Sequence, residues 1–342
     1  MIVIYLLALL FLGIYSYSQI DLNLTLLQFP WFMEFQKAMI QLGYYSRNCS
    51  SQIFLGLIII LTGGYLFILS KVKDFSTKHL AVILAAISII GLFSYSAFSH
   101  DIYNYIFDAR ILAYHGANPY TTTALMFPAD EWTRFMNWTH RTYPYGPAFL
   151  PITLIPYFLG LNKLVLTLFW FKTMFVGFYL GCVYFLSKIG GPKSAVFFAL
   201  NPLILIEGIV SPHLDLVMLF FGLWSFYLLI QKKRIFSLAI LVISMGIKYI
   251  TGLFLPVFLL KRFAPEKRLN IIIILGFAGV VLQVFSRELL PHYFLVPLGF
   301  MALVSRNKAA WLLSGVFSAS LLILRYYPFL STGLWLPIKF FP

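Results

Sequence analysis

Charge is what this chain has least of. Of 342 residues only 11 are acidic and 25 basic, so charged residues make up 11% against 61% hydrophobic. A soluble domain carries roughly 25% charged residues. The composition therefore excludes a water-soluble enzyme and makes the chain an integral membrane protein. Cysteine is nearly absent as well. Cys49 and Cys182 stand far apart in different contexts, which excludes a disulfide framework. No phosphate-binding glycine loop, dinucleotide fingerprint or nucleophile elbow occurs, and no carboxylate–histidine group has metal-ligand spacing along the chain, so neither metal nor cofactor is expected. Short repeats, low-complexity runs and the inverted repeat of many transporters are also missing. The net charge of +14 would suit nucleic acid if it were gathered on one face. It falls instead in short clusters between apolar runs, so no nucleic-acid partner is expected.

What is present is a series of apolar runs, and a helix needs about 20 such residues to cross a bilayer. Runs occur at 1–20, 52–70, 79–98, 163–187, 193–210, 214–231, 270–286, 289–304 and 309–325. The first lacks a basic leader and a small-residue cleavage site, and reads as a retained helix. The clusters Lys71/Lys73/Lys78, Lys188/Lys193, Lys232/Lys233/Arg234, Lys261/Arg262/Lys267/Arg268 and Arg306/Lys308 should all face the cytoplasm. That requires 235–260 to be two short helices turning outside at Lys248, and 148–161 to be re-entrant or interfacial. The expectation is an all-α polytopic protein of about 11 spans forming one domain over 1–342. Its aromatic outer loop, 99–147, should carry interfacial helices. In this arrangement 14 of the 25 basic residues are cytoplasmic, yet only Asp74 and Glu266 among the acids are. The other nine acids gather on the outer side.

Three constellations stand out there. Ser99-His100-Asp101-Ile102-Tyr103-Asn104-Tyr105 puts a carboxylate where an apolar helix ends, as either a solvated helix-end acid or a base for a reacting hydroxyl. Asp108 lies seven residues on, on the same face if 101–113 is helical, and Arg110 is available to Asp108, an acceptor or a phosphate. His115 to Tyr120 and Tyr143-Pro144-Tyr145-Gly146-Pro147 read as turns, with Tyr145 either a sugar contact or an ordinary interface tyrosine. Asn201-Pro202 through Glu207, then Ser211-Pro212-His213-Leu214-Asp215, make a second outer turn in which Asp215 either favours a helix N-terminus or joins Asp101. Lys248, followed by Arg287 and His292-Tyr293, offers cations for a lipid phosphate, the alternative for Lys248 being to snorkel. Lys172 falls near mid-span, to be buried against an acid or brought to the surface by tilt.

Taken in order, His100 to Tyr105, Gly116-Ala117-Asn118-Pro119-Tyr120, Tyr145-Gly146-Pro147, Asn201-Pro202-Leu203, His213-Leu214-Asp215, Gly246-Ile247-Lys248 and His292-Tyr293 resemble the polyprenyl-phosphomannose-dependent mannosyltransferases, within the GT-C glycosyltransferases. The resemblance covers roughly residues 80–300. It implies a polyprenyl-phosphate sugar donor, a glycan or glycolipid acceptor, an extracytoplasmic site and an inverting, metal-independent displacement. It makes Asp101 the base, and places Lys248, Arg287, His292 and Tyr293 on the donor phosphate. His100, Tyr103, Asp108, Arg110, Tyr145, His213 and Asp215 would line the substrate site. Two departures are visible: the chain is short for the family, and Leu214 stands where a small polar residue is expected. The expected setting is a bacterial or archaeal plasma membrane. Rival readings are a lipid-linked oligosaccharide ligase or polymerase, which needs more cations for a diphosphate, and a lipid or sugar transporter, which needs charges at the midplane.

Overall fold

The computed structural model describes residues 2–72, 77–260, 264–304 and 308–339. Lys73, Asp74, Lys261, Arg262 and Arg306, five of the residues used to orient the chain, lie outside the described residues. The architecture is all helical. In chain order the α-helices are α1 (Ile2–Tyr15), α2 (Pro30–Ile40), α3 (Arg47–Ser70), α4 (Thr77–Phe93), α5 (Asp101–Ala113), α6 (Phe149–Leu159), α7 (Leu164–Gly190) and α8 (Pro192–Ala199). They continue as α9 (Pro202–Leu205), α10 (Leu214–Ile230), α11 (Arg234–Met245), α12 (Leu255–Leu259), α13 (Pro265–Ser286), α14 (Leu295–Met301) and α15 (Lys308–Thr332). α3 packs along α15 and α1, and α10 lies against α7 and α11.

Among the described residues five helices are long and apolar enough to cross a membrane alone, six if the bent pair of α8 with Pro202–Val210 counts as one span. They are apolar on the outside as well as the inside. Ile59 and Ile60 on α3, Ile274 and Val281 on α13 and Leu313 on α15 are all exposed, as expected of helices whose solvent is lipid. Several expected spans change shape. The run 52–70 begins earlier, at Arg47. The run 79–98 stops being helical after Phe93. The run 289–304 divides into a single turn, Pro291–Phe294, and the seven-residue α14, roughly 10 Å long and too short to cross. The 148–161 segment gives α6, eleven residues and about 16 Å, also short of a crossing. The chain does break at Lys248: α11 ends at Met245 and a 3₁₀ turn starts at Tyr249.

The bend between α8 and α9, 61°, has a physical cost that the fold meets from elsewhere. Breaking a helix in lipid frees carbonyls with no water to donate to them. Tyr179 donates to the Ala199 carbonyl at 2.9 Å and Tyr5 to that of Leu200 at 2.6 Å. Asn201 then caps α9, its side chain accepting from the Leu203 N–H at 2.9 Å. α9 runs on as a π-helical turn, Ile206–Val210, a form common near functional sites. Its last carbonyls are met by Lys172, which donates to Ile209 and Val210, both at 2.8 Å, and to Ser94 Oγ at 3.1 Å. All three ammonium donors are used, so Lys172 neither pairs with an acid nor reaches the surface. It fixes the turn that carries Glu207.

Candidate active site

Two chain breaks meet in one place. α5 starts at Asp101 with His100 at its N-cap, and α10 starts at Leu214 with His213 at its N-cap. They are tied by the Phe98 N–H, which donates to Ser211 Oγ at 2.9 Å, and by the Leu214 N–H, which donates to Tyr105 Oη at 3.3 Å. This brings Asp101 Oδ2 to 3.7 Å from His213 Nε2. The other ring nitrogen, Nδ1, lies 3.4 Å from Glu207 Oε2 and 3.2 Å from the Glu207 carbonyl. Glu207 is wholly buried, and Tyr326 of α15 donates to its Oε1 at 2.6 Å. His292, on the Pro291–Phe294 turn, stacks on His213 with ring centres 3.9 Å apart and planes 15° apart.

On the other side of the α10 start, Asp215 Oδ1 accepts from Lys248 Nζ at 2.8 Å, and the same ammonium lies 4.7 Å from the centre of the Tyr293 ring. Asp215 thus holds a lysine in place from the first turn of α10, where a carboxylate also favours the helix N-terminus. The Tyr145-Gly146-Pro147 motif docks directly on Gly246-Ile247-Lys248. The Gly146 N–H donates to the Ile247 carbonyl at 3.0 Å and that of Ala148 to the Gly246 carbonyl at 2.8 Å. Gly146 has to be glycine, since a Cβ there would lie 2.2 Å from the Gly246 oxygen. Tyr145 stacks edge-on with Tyr105 and Tyr143, and the Tyr143 N–H reaches the Pro119 carbonyl at 2.8 Å. Most of the sequence motifs therefore converge.

Some expected site residues go elsewhere. Tyr103 is buried and its hydroxyl bonds Tyr95 Oη at 3.2 Å. His100 bonds the Phe135 carbonyl at 3.3 Å, and burial lowers its pKa from 6.5 despite that bond. Arg110 does not pair with Asp108. Its Nε donates to Asp130 Oδ2 at 2.5 Å, its Nη1 to Tyr157 and Asn162, and its guanidinium is clamped between the Tyr114 and Trp132 rings, each 4.1 Å away. His115 bonds the same Asp130 oxygen at 2.9 Å. Burial opposes ionisation of Asp130, but the hydrogen bonds from Arg110, the Trp132 N–H and His115 outweigh it and hold its pKa below the ordinary value. A cleft of about 520 Å³ opens beside this knot, lined by neither Asp101 nor Lys248. Arg110, His115 and Asp130 in its lining already satisfy one another, and the carboxylate–histidine cluster is not part of that lining. Arg287 caps the end of α13 and is exposed.

Asp108 does share a face of α5 with Asp101 and is buried, with a pKa raised from 3.8 to about 7 by burial, against the opposing pull of Arg141. Asn104, between them, was not singled out by the sequence. It is 3% exposed, and neither of its amide atoms has a hydrogen-bond partner among the described residues. Among the described residues Glu207, His213 and His292 form a group that brings three ligand atoms within 4.8 Å of one another. The spacing along the chain hides it, because His292 arrives from a distant turn. Yet an imidazole binds a metal close to its own plane, and two parallel rings 3.9 Å apart cannot both aim lone pairs at one ion. The group reads as a stacked, hydrogen-bonded cluster.

Among curated proteins, alpha-(1->6)-mannopyranosyltransferase A of Mycobacterium tuberculosis (strain ATCC 25618 / H37Rv) is 27% identical over 188 residues, which cover 52% of this chain and 36% of that protein. The match thus spans little over a third of its relative's length. No solved structure matches. The model of the MptA/B family, described as alpha-(1->6)-mannopyranosyltransferase, N-terminal domain, matches residues 10–264, so that it takes in Asp101, Glu207, His213, Asp215 and Lys248. With three quarters of its length inside that match, the chain belongs to the alpha-(1->6)-mannopyranosyltransferase family.

Proposed function

We propose that the protein transfers mannose from a polyprenyl-phosphate donor to a hydroxyl of a glycan or glycolipid on the extracytoplasmic side, with inversion at the anomeric carbon. One observation carries this reading: a carboxylate and a cation flank a single helix start. Asp101 approaches His213, and two residues on Asp215 holds Lys248. Displacement at a sugar needs both groups. Asp101 takes the acceptor proton as the acceptor oxygen bonds C1, while Lys248 stabilises the phosphate that departs with the electrons of the broken C1–O bond. Asp215 uses one of the three ammonium donors, leaving two for phosphate. Arg287, at the end of α13, is a second cation for the same charge, and His292 and Tyr293 line the approach between them. Tyr145, held against Tyr105 and Phe149, offers an aromatic wall for the sugar. The short helices around Lys248 let a lipid tail enter from the bilayer.

The test is transfer of labelled mannose from polyprenyl-phosphomannose by wild type and Asp101→Asn. A fall of at least about 100-fold is expected, the usual contribution of a positioned base, with donor binding retained. Equal activity removes Asp101 from the mechanism. Absence of transfer by the wild type across several polyprenyl-phosphate sugars rejects the donor class.

A further inference from the structure

We propose that His213, held by Glu207 and Tyr326, takes the acceptor's proton on from Asp101, which makes Glu207 and Tyr326 positioning residues for the transfer. The inference rests on the function proposed above and deepens it. Four groups form a line. Asp101 Oδ2 faces His213 Nε2 at 3.7 Å, His213 Nδ1 lies 3.4 Å from Glu207 Oε2, and Tyr326 donates to Glu207 Oε1 at 2.6 Å. Only Asp101 has appreciable access to solvent, its side chain being 20% exposed against 3% for His213 and none for Glu207.

Each member has a reason to be there. A buried carboxylate is costly unless it is paired, and Glu207 Oε2 has no hydrogen-bond partner among the described residues. The Nδ1–H of His213 lies between that oxygen and the Glu207 carbonyl at 3.2 Å. A neutral ring that donates through Nδ1 must present a lone pair at Nε2, towards Asp101. It is therefore set to receive a proton from that side, and once charged it sits between two carboxylates. His292 stacks on its face, and an aromatic face favours a cation. The Glu207 carbonyl thus fixes the tautomer, and its carboxylate, 3.4 Å from Nδ1, is placed to stabilise the imidazolium, as a buried acid does beside the histidine of hydrolases on unrelated folds.

The step balances without a further reactant. The acceptor O–H proton passes to Asp101 as the C1–O bond to phosphate breaks, then to Nε2 of His213. This leaves Asp101 ionised and His213 as imidazolium, which loses the proton to water when products leave. The charged and titratable groups around His213 are Asp101 from α5, Glu207 from the π-helical turn, Asp215 from α10 and His292 from its turn. Lys248, Arg287 and Arg325 act on this cluster from further out.

The experiment uses the full chain in lipid with polyprenyl-phosphomannose and a mannose-containing acceptor. Glu207→Gln should lower kcat about 10- to 100-fold, below the loss for a direct acid–base group, with KM for the donor within about twofold. The solvent deuterium isotope effect on kcat should rise, because the second proton transfer becomes slower. Tyr326→Phe should do the same more weakly, and thermal melting of each variant shows whether it has folded. A donor KM that rises in step with the loss of kcat, or an isotope effect that does not move in an active, folded Glu207→Gln, overturns the relay alone. Wild type inactive with every polyprenyl-phosphate sugar overturns the relay together with the function beneath it.

Discussion

The Asp108 carboxyl is held where ionising is hard, its pKa raised from 3.8 to about 7 by burial. In the unfolded chain it ionises near the lower value, so stability is complete below about pH 4 and is lost as pH rises through 7. The total loss is on the order of 1–4 kcal/mol. Asp108→Asn should melt like the wild type near pH 4 and above it at pH 8. A gap in Tm that stays constant across that range would show that Asp108 is not the titrating group. The scarcity of acids made Asp101, Asp108 and Asp215 visible in the sequence, since each had to be explained. Partners were harder to read. Asp108 and Arg110 are two residues apart, and helical neighbours at that spacing point to different sides, so Arg110 turns to Asp130 instead. Glu207 and Tyr326 are 119 residues apart, and no local pattern links them.

Turns, more than spans, position the chemistry. The loop around Gly146 lies on the turn at Gly246 through two backbone hydrogen bonds. Gly146→Ala should push them apart and destabilise by about 1–3 kcal/mol, the usual cost of overpacking. Because Lys248 follows that turn, KM for the donor should rise as well, and a lowered Tm with an unchanged KM would separate the docking from the site. Lys172→Met leaves the Ile209 and Val210 carbonyls unmet, each costing about 1–3 kcal/mol. It should lower Tm by several degrees, and an unchanged Tm would mean that water or Ser94 takes its place. Charge placement made the break at Lys248 legible. Asn201-Pro202 was legible as part of a turn, and it is an ordinary helix-start signal, but the break it makes inside 193–210 was not, because a hydropathy window reads that run as continuous. The run 289–304 misled for the same reason.

For the whole molecule the expectation left to test is orientation, which rests on the distribution of basic clusters between apolar runs. After Cys49→Ser removes the exposed native thiol, a cysteine at Asn118 should react with an impermeant maleimide on intact cells. One at Lys233 should react only after permeabilisation, and the reverse pattern would turn the protein over. The all-helical class was legible from composition alone, whereas the shared cluster required chain segments from 101 to 326 to be brought together. The order of those segments has a consequence for synthesis. Tyr5, Ser94, Lys172 and Tyr179, which satisfy the bent segment or fix the lysine that does, all precede it in the chain. The broken helix therefore leaves the ribosome into a membrane where its donors already wait. His292 and Tyr326 follow the other members of the cluster, so a nascent chain carries Asp101, Glu207, His213 and Lys248 before the histidine stack and the tyrosine hydrogen bond exist, and the site closes only once α15 is made.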